Sequence, residues 1–255
     1  MTGGPSTPPV IAPSVVALGG LPRVIVVTGT DTDVGKTVVT AAVCATVRAA
    51  GLGVTAYKPT QTGVGPHEAG DMAEVARLTG IATHEGVRLL APMAPRPAAR
   101  LEDAALPTLN EHLATIHALA RDHDHVVVEG AGGLLVELTG ARATLADLAR
   151  MTDDCGVIVV ARSGLGTLNH TMLTREALWR RGIRQLGVVI GAWPSEPTVV
   201  ETTNRDHLSE LPEGLLGAVP SGAPRLEPAA FCTAAPVWLP GLWQRARPAQ
   251  RRDTP

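Results

Sequence analysis

Val24-Ile25-Val26-Val27-Thr28-Gly29-Thr30-Asp31-Thr32-Asp33-Val34-Gly35-Lys36-Thr37 organises the reading of the whole chain. Its first residues are β-branched and apolar, the composition of a buried strand. A loop bounded by Gly29 and Gly35 follows, then Lys36-Thr37 and an apolar run of helical length, Val38 to Ala50. Strand, glycine-bounded loop and helix N-terminus in that order make a phosphate cradle, because N–H groups of the loop and first helical turn point at one anion. Lys36 adds a mobile positive charge, and the Thr37 hydroxyl is placed to join a Mg²⁺ shell. Gly29 and Gly35 bracket five residues, one more than the usual pattern, and Thr30 stands where its first glycine would be. An ordinary βα turn that happens to carry Gly-Lys-Thr is the competing reading; the matching strand before and helix after argue against it.

Downstream, Val54 to Tyr57 reads as a short strand running into Lys58-Pro59-Thr60-Gln61-Thr62-Gly63. Polar groups at a strand's carboxyl end lie at the edge of a parallel sheet where ligands bind. A solvated surface lysine is the competing reading of Lys58; Pro59, which fixes the backbone just after it, argues for a held loop. Residues 64–70 read as loop. Asp71 opens a helix and serves as well for a cap as for a Mg²⁺ ligand opposite Thr37. Val87 to Leu90 is expected as a strand, and the proline-rich run Pro92 to Pro97 as an extended edge segment. Leu109 to Ala120 has helical periodicity.

A second strong motif is His125-Val126-Val127-Val128-Glu129-Gly130-Ala131-Gly132-Gly133. A buried strand here delivers a carboxylate to its carboxyl end. An unpartnered buried glutamate is costly, and a metal ion or a cationic group of the nucleotide site removes that cost, so Glu129 is expected to face a nucleotide's Mg²⁺; a glutamate capping a turn is the alternative. Val157 to Ala161 is another apolar strand. It enters Ser163-Gly164-Leu165-Gly166-Thr167-Leu168-Asn169-His170, a glycine-rich turn into a helix and a second candidate anion site. His170 reads as a structural hydrogen-bonding group. Leu186 to Ile190 is a strand ending at Gly191-Ala192-Trp193-Pro194. Val199 to Leu208 is a helix with Asn204 and Arg205 expected near its exposed side, and Leu215 to Val219 is the last strand, before Pro220-Ser221.

The alternation β-α repeats about seven times with short connections, and near-continuous Val/Ile/Leu runs mark parallel strands covered on both faces. The expected fold is a single-domain, three-layer α/β/α with a mostly parallel sheet of about seven strands. Its bounds are expected at residues 23–243, with 1–22 a disordered N-terminal extension and 244–255 a flexible, solvated C-terminal tail. Across 255 residues, 45% hydrophobic content suffices for a large core. A net charge of −2 and only 2% aromatics argue against a nucleic-acid surface. Cys44, Cys155 and Cys232 are few and widely spaced, as in a reducing compartment. No apolar run reaches membrane-spanning length, and Pro9 and Pro13 interrupt any secretory core. The expected setting is the cytoplasm.

Gly29 to Thr37, Tyr57-Lys58-Pro59 with Thr62-Gly63, Val128 to Gly133 and Gly164 to His170 together resemble the dethiobiotin synthetases, in the same order and spacing. The resemblance spans most of residues 24–222 and includes the five-residue spacing between the cradle glycines. It implies an ATP- and Mg²⁺-dependent ligase of biotin biosynthesis that closes the ureido ring of dethiobiotin. The substrates it implies are 7,8-diaminopelargonic acid and CO₂ or bicarbonate, and the active unit is a homodimer. Lys36 and Lys58 are then catalytic, with Lys58 on the carbamate and the transferred phosphoryl group. Thr37, Asp71 and Glu129 hold Mg²⁺. Asp33, Val34, Gly35, Val38, Gly130, Ala131 and Gly132 line the nucleotide, and Thr62 meets the reacting end of the substrate. The substrate carboxylate falls to Leu165, Gly166, Thr167 and Asn169. Where many relatives carry an adenine-reading Asn after the sixth strand, this chain has Gly191 and Ala192; Val219, Pro220 and Ser221 offer backbone groups to a base.

Two other classes share the strand–loop–helix start. A partition-type ATPase switch would carry a second lysine inside the loop, where this chain has Asp31 and Asp33. An amidotransferase-type ligase would need a glutaminase domain with a nucleophilic cysteine, for which the chain has no room.

Overall fold

The computed structural model describes residues 20–247. Seven strands form one sheet: β1 (Val24–Gly29), β2 (Val54–Thr62), β3 (Thr83–Leu89), β4 (His125–Gly133), β5 (Cys155–Ala161), β6 (Gln185–Trp193) and β7 (Leu215–Pro220). Their order is β3-β2-β4-β1-β5-β6-β7, and every pairing is parallel. This is the parallel seven-stranded sheet expected of the sequence, with all carboxyl ends on one edge.

Helices α1 (Lys36–Ala49), α2 (Asp71–Thr79), α8 (Pro228–Trp238) and α9 (Pro240–Ala246) cover one face. Helices α4 (Leu109–Asp122), α5 (Leu145–Met151), α6 (Thr167–Arg180) and α7 (Val199–Ser209) cover the other. The strands sort their residues by parity. Ile25 and Val27 of β1 join the core under α1, while Val24 and Val26 join the opposite core. In the same way Ala56 and Val127 face α1, whereas Tyr57 and Val128 face α4. Continuing that alternation by one residue turns Lys58 and Glu129 toward α1, the helix that begins at the phosphate loop.

Strand β2 is longer than expected, because it passes through Lys58 and Pro59 to Thr62. Its pairing with β4 stops at Tyr57↔Val128, and beyond that point it pairs with β3 alone. Pro59 lies in this part, free on the β4 side, where a missing N–H costs no ladder bond. The sheet therefore splits just after Tyr57 and Val128, and Lys58 and Glu129 are the first residues past the split.

Other boundaries also moved. The proline-rich run is not an extended edge: α3 (Pro95–Leu101) starts inside it, with Pro95 at a helix N-terminus where its missing N–H is harmless. β3 covers Thr83–Leu89, earlier than the expected Val87 to Leu90. Asn204 is buried, and its side chain donates to the Ser163 and Gly164 carbonyl oxygens at 2.9 and 3.1 Å, so α7 anchors the glycine-rich turn before α6. The solvated tail expected from Gln244 is part of α9 through Ala246; Arg245 donates to the Leu186 carbonyl oxygen at 2.5 Å and Ala246 is buried. Helix α8 was not expected; its Phe231 is fully buried and meets Trp238 edge-on at 5.2 Å. Residues 1–19 of the expected N-terminal extension and residues 248–255 lie outside the described residues.

Candidate active site

The split between β2 and β4 opens on a cavity of about 790 Å³ bounded by the phosphate loop, the start of α1, the end of β2, the start of α2 and the segment 92–95. Gly35 caps α1 in a left-handed conformation (φ 91°) and gives no side-chain cap, so the first helical N–H groups stay available to an anion. Asp33 has φ 56°, a left-handed turn that aspartate tolerates better than most residues. The loop folds tightly: a Cβ on Gly29 would lie 2.6 Å from the Asp31 carbonyl oxygen and 3.0 Å from Lys36 Nζ. Lys36 itself donates to that carbonyl at 3.0 Å. Burial lowers its ammonium below the ordinary lysine value, against the opposing pull of Glu129.

Lys58 is 3% exposed. Its Nζ lies 2.5 Å from Asp71 Oδ2 and 2.8 Å from Glu129 Oε1. Burial by itself would lower this ammonium, yet the two carboxylates and their hydrogen bonds hold it above the ordinary lysine value. Lys58 is thus a fixed cation in a dry place, which settles its position against that of a solvated lysine. The Thr37 hydroxyl donates to Glu129 Oε1 at 2.9 Å. Glu129 is fully buried, and its Oε2 has no hydrogen-bond partner. A buried carboxylate oxygen left over beside a threonine hydroxyl and a second carboxylate suits a hard cation. Among the described residues no cluster of three or more His, Cys, Asp or Glu exists to cage a metal alone. One hydroxyl and two carboxylates therefore suit Mg²⁺, which keeps several waters and takes phosphate oxygens as further ligands.

Of the residues expected at the site, Asp33, Gly35, Lys36, Thr37, Val38, Lys58, Thr62, Asp71, Glu129, Ala131 and Gly132 line this one cavity. Others do not. Val34 is buried in the core. Gly130 is pressed against Leu145, whose Cδ2 would lie 2.3 Å from an added Cβ. Gly191 supports the phosphate loop from behind: an added Cβ would meet the Val34 carbonyl oxygen at 1.9 Å. Ala192, Ser221, Leu165, Gly166 and Asn169 are exposed, Thr167 and Val219 are buried and Pro220 is half-buried, all outside the cavity lining. Sequence reasoning left out Thr32, Gln61, Gly63, Val64, Val136 and residues 92–95, which complete the wall. Gln61 was readable as part of the polar run after Lys58. Residues 92–95 gave no chemical signal and reach the site only through the turn into α3.

Fold and site together define a P-loop nucleoside-triphosphate enzyme of the α/β/α class. A family model described as an AAA domain matches residues 23–228. The chain is 48% identical over 225 residues to the ATP-dependent dethiobiotin synthetase BioD of Rhodococcus jostii strain RHA1, covering 88% of this chain and 97% of that one. It is 52% identical over 223 residues to the enzyme of that name from Streptomyces avermitilis, covering 85% and 91%. Among solved structures, the cell division ATPase MinD of Pyrococcus furiosus superposes with a TM-score of 0.54 at 17% identity, covering 88% of this chain and 98% of that chain, a likeness of fold alone. The chain belongs to the dethiobiotin synthetase family.

Proposed function

We propose that the chain is an ATP-dependent cyclo-ligase that converts 7,8-diaminopelargonic acid and CO₂ into dethiobiotin, with ADP and phosphate as the other products. One amine adds to CO₂ and loses a proton, giving a carbamate. A carbamate oxygen attacks the γ-phosphorus while the bond to the ADP oxygen breaks. The second amine then attacks the carbonyl carbon of the mixed anhydride, loses its proton and expels phosphate as the ring closes.

The observation that carries this reading is the buried Lys58 ammonium, held by Asp71 and Glu129 beside the start of α1. A carbamate is a weak nucleophile, and phosphoryl transfer spreads negative charge over the equatorial oxygens, so fixed cations lower the barrier. Lys58 is held against rotation by its carboxylates and offers its remaining N–H to the carbamate and the transferred group. Lys36 and the free N–H groups behind Gly35 bind the β- and γ-phosphates. Thr37, Asp71 and Glu129 hold Mg²⁺, which when bound neutralises charge across the phosphate oxygens. Thr62, at the end of β2, hydrogen-bonds the reacting end of the diamine. Gly191 acts on the nucleotide indirectly, by seating the loop.

The exposed side chains of Leu165, Met172 and Leu173, along the start of α6, favour a homodimer that covers the substrate's carboxylate end. The three free cysteines favour a reducing, cytoplasmic setting. Among the described residues no helix is long and apolar enough to cross a membrane.

The test is ATP turnover with and without diaminopelargonic acid and bicarbonate. Phosphate release and dethiobiotin formation should require both. Turnover independent of the diamine, or stimulated by DNA, would reject the ligase in favour of a partition-type switch.

A further inference from the structure

Gln61 has no part in the scheme above, yet it is 3% exposed and lines the cavity. It sits next to the end of β2, and its amide reaches across to α2. Oε1 accepts the Asp71 N–H at 2.8 Å, and Nε2 donates to the Thr62 carbonyl oxygen at 3.1 Å. Helix α2 starts behind Gly70, which has no side chain to cap it. The first N–H groups of a helix need outside partners, and Gln61 supplies one from a different element. The fit is close: a Cβ on Gly70 would lie 2.9 Å from Gln61 Oε1 and 3.0 Å from Arg88 Nη2. Arg88 closes the same turn, donating to the Gly65 and Glu68 carbonyl oxygens at 2.8 and 2.7 Å. Strand β2 therefore holds Asp71 twice, its main chain through Gln61 and its carboxylate through Lys58 at 2.5 Å.

We propose that Gln61 is a positioning residue: through the Asp71 main chain it keeps that carboxylate beside Lys58 and Glu129, and so sets affinity for the divalent cation that accompanies the nucleotide. The proposal rests on the Mg²⁺ role given to Asp71 above. A residue that only supported the fold would change stability and leave cation affinity alone.

Mn²⁺ binding in the presence of a non-hydrolysable ATP analogue, followed by calorimetry, separates the two. Gln61→Met should weaken Mn²⁺ about fivefold, the factor that one hydrogen bond of ordinary net strength corresponds to. Asp71→Asn should weaken it further, and Gln61→Met should add nothing in the Asp71→Asn background, as expected when one residue acts through the other. Gly70→Ala leaves Gln61 in place but crowds its amide, so it should shift Mn²⁺ affinity in the same direction; it carries the test if Gln61→Met fails to fold. An equal loss from Gln61→Met in both backgrounds, or unchanged Mn²⁺ affinity where Asp71→Asn does change it, overturns the role of Gln61 alone. Unchanged affinity in Asp71→Asn removes the metal role of Asp71 and this proposal with it, while dependence of turnover on the diamine would still uphold the ligase.

Discussion

At the carboxyl ends of β1, β2 and β4 the charged groups are drawn together and pair, with Glu129 Oε2 left over. Lys58 meets Asp71 and Glu129, Thr37 meets Glu129, and Lys36 folds onto the loop. At the carboxyl ends of β5, β6 and β7 the candidate residues have no such partners. Leu165 is 82% exposed, Ala192 and Ser221 are exposed, and Gly191 faces inward against the loop. The difference follows from what each half has to do. Buried charges need countercharges, so a catalytic cluster assembles within one chain and is held there whatever binds. Recognition of a base or of an aliphatic tail rests on backbone groups and apolar surface, which need no internal partner and can be left at the rim. The first half is therefore rigid by electrostatics, and the second is shaped by what packs against it.

Substitutions can break that contrast, and the largest effect is expected at Lys58. Lys58→Met should lower dethiobiotin formation by about 10²–10³-fold, the range for loss of one preorganised charge-stabilising group. It should also destabilise the fold, because two carboxylates lose their shared cation. Product assay and urea unfolding measure the two separately, and near-normal turnover would remove Lys58 from the chemistry.

Gly191 and its neighbour sharpen the comparison. Gly191→Ala places a methyl group 1.9 Å from the Val34 carbonyl oxygen, so the phosphate loop must shift. A cost of about 1–3 kcal/mol and a raised KM for ATP are expected. Ala192→Ser, on the exposed side of the same strand end, should stay within about 0.5 kcal/mol of the parent and leave that KM unchanged. If the pair behaved alike, the close packing behind the loop would not be what seats the nucleotide.

On the open half, Leu165→Asp should raise KM for the diamine and shift the protein toward monomer in sedimentation, with nucleotide affinity unaltered. A smaller effect concerns His112, buried against the Tyr57 hydroxyl at 2.8 Å from its Nδ1. Burial lowers its pKa from the ordinary 6.5, with Glu111 partly opposing. The unfolded chain therefore takes up the proton first as pH falls. Stability is lost as pH drops through the ordinary histidine range and is regained above it. His112→Gln should flatten the dependence of unfolding free energy on pH between about 6.5 and 5.

Much of the site was legible because its signals are local. Gly29 to Thr37 states a strand, a loop and a helix start within one short run, and Val128-Glu129-Gly130 puts a carboxylate directly after an apolar strand run. Lys58 was legible in type but not in environment, since a lysine at a strand end looks the same whether solvated or buried. Asp71 read as cap or ligand until the fold set it 2.5 Å from Lys58. Gln61 and the segment 92–95 were passed over because neither has a chemical signature, and α8 carries prolines that disguise its helical length. Gly191 stands where relatives carry an adenine-reading Asn, and nothing local in the sequence shows that it packs inward against the phosphate loop.

The sequence by itself determined the parallel α/β sheet, the phosphate loop and the class of chemistry, because strand and helix periods and glycine-bounded turns depend on neighbours a few residues apart. Only the tertiary structure decided which polar groups meet. The meeting of Lys58, Asp71 and Glu129 depends on β2 parting from β4 just after Tyr57 and Val128, with the start of α2 bringing Asp71 to Lys58. That split lies between strands far apart along the chain, and no local stretch encodes it.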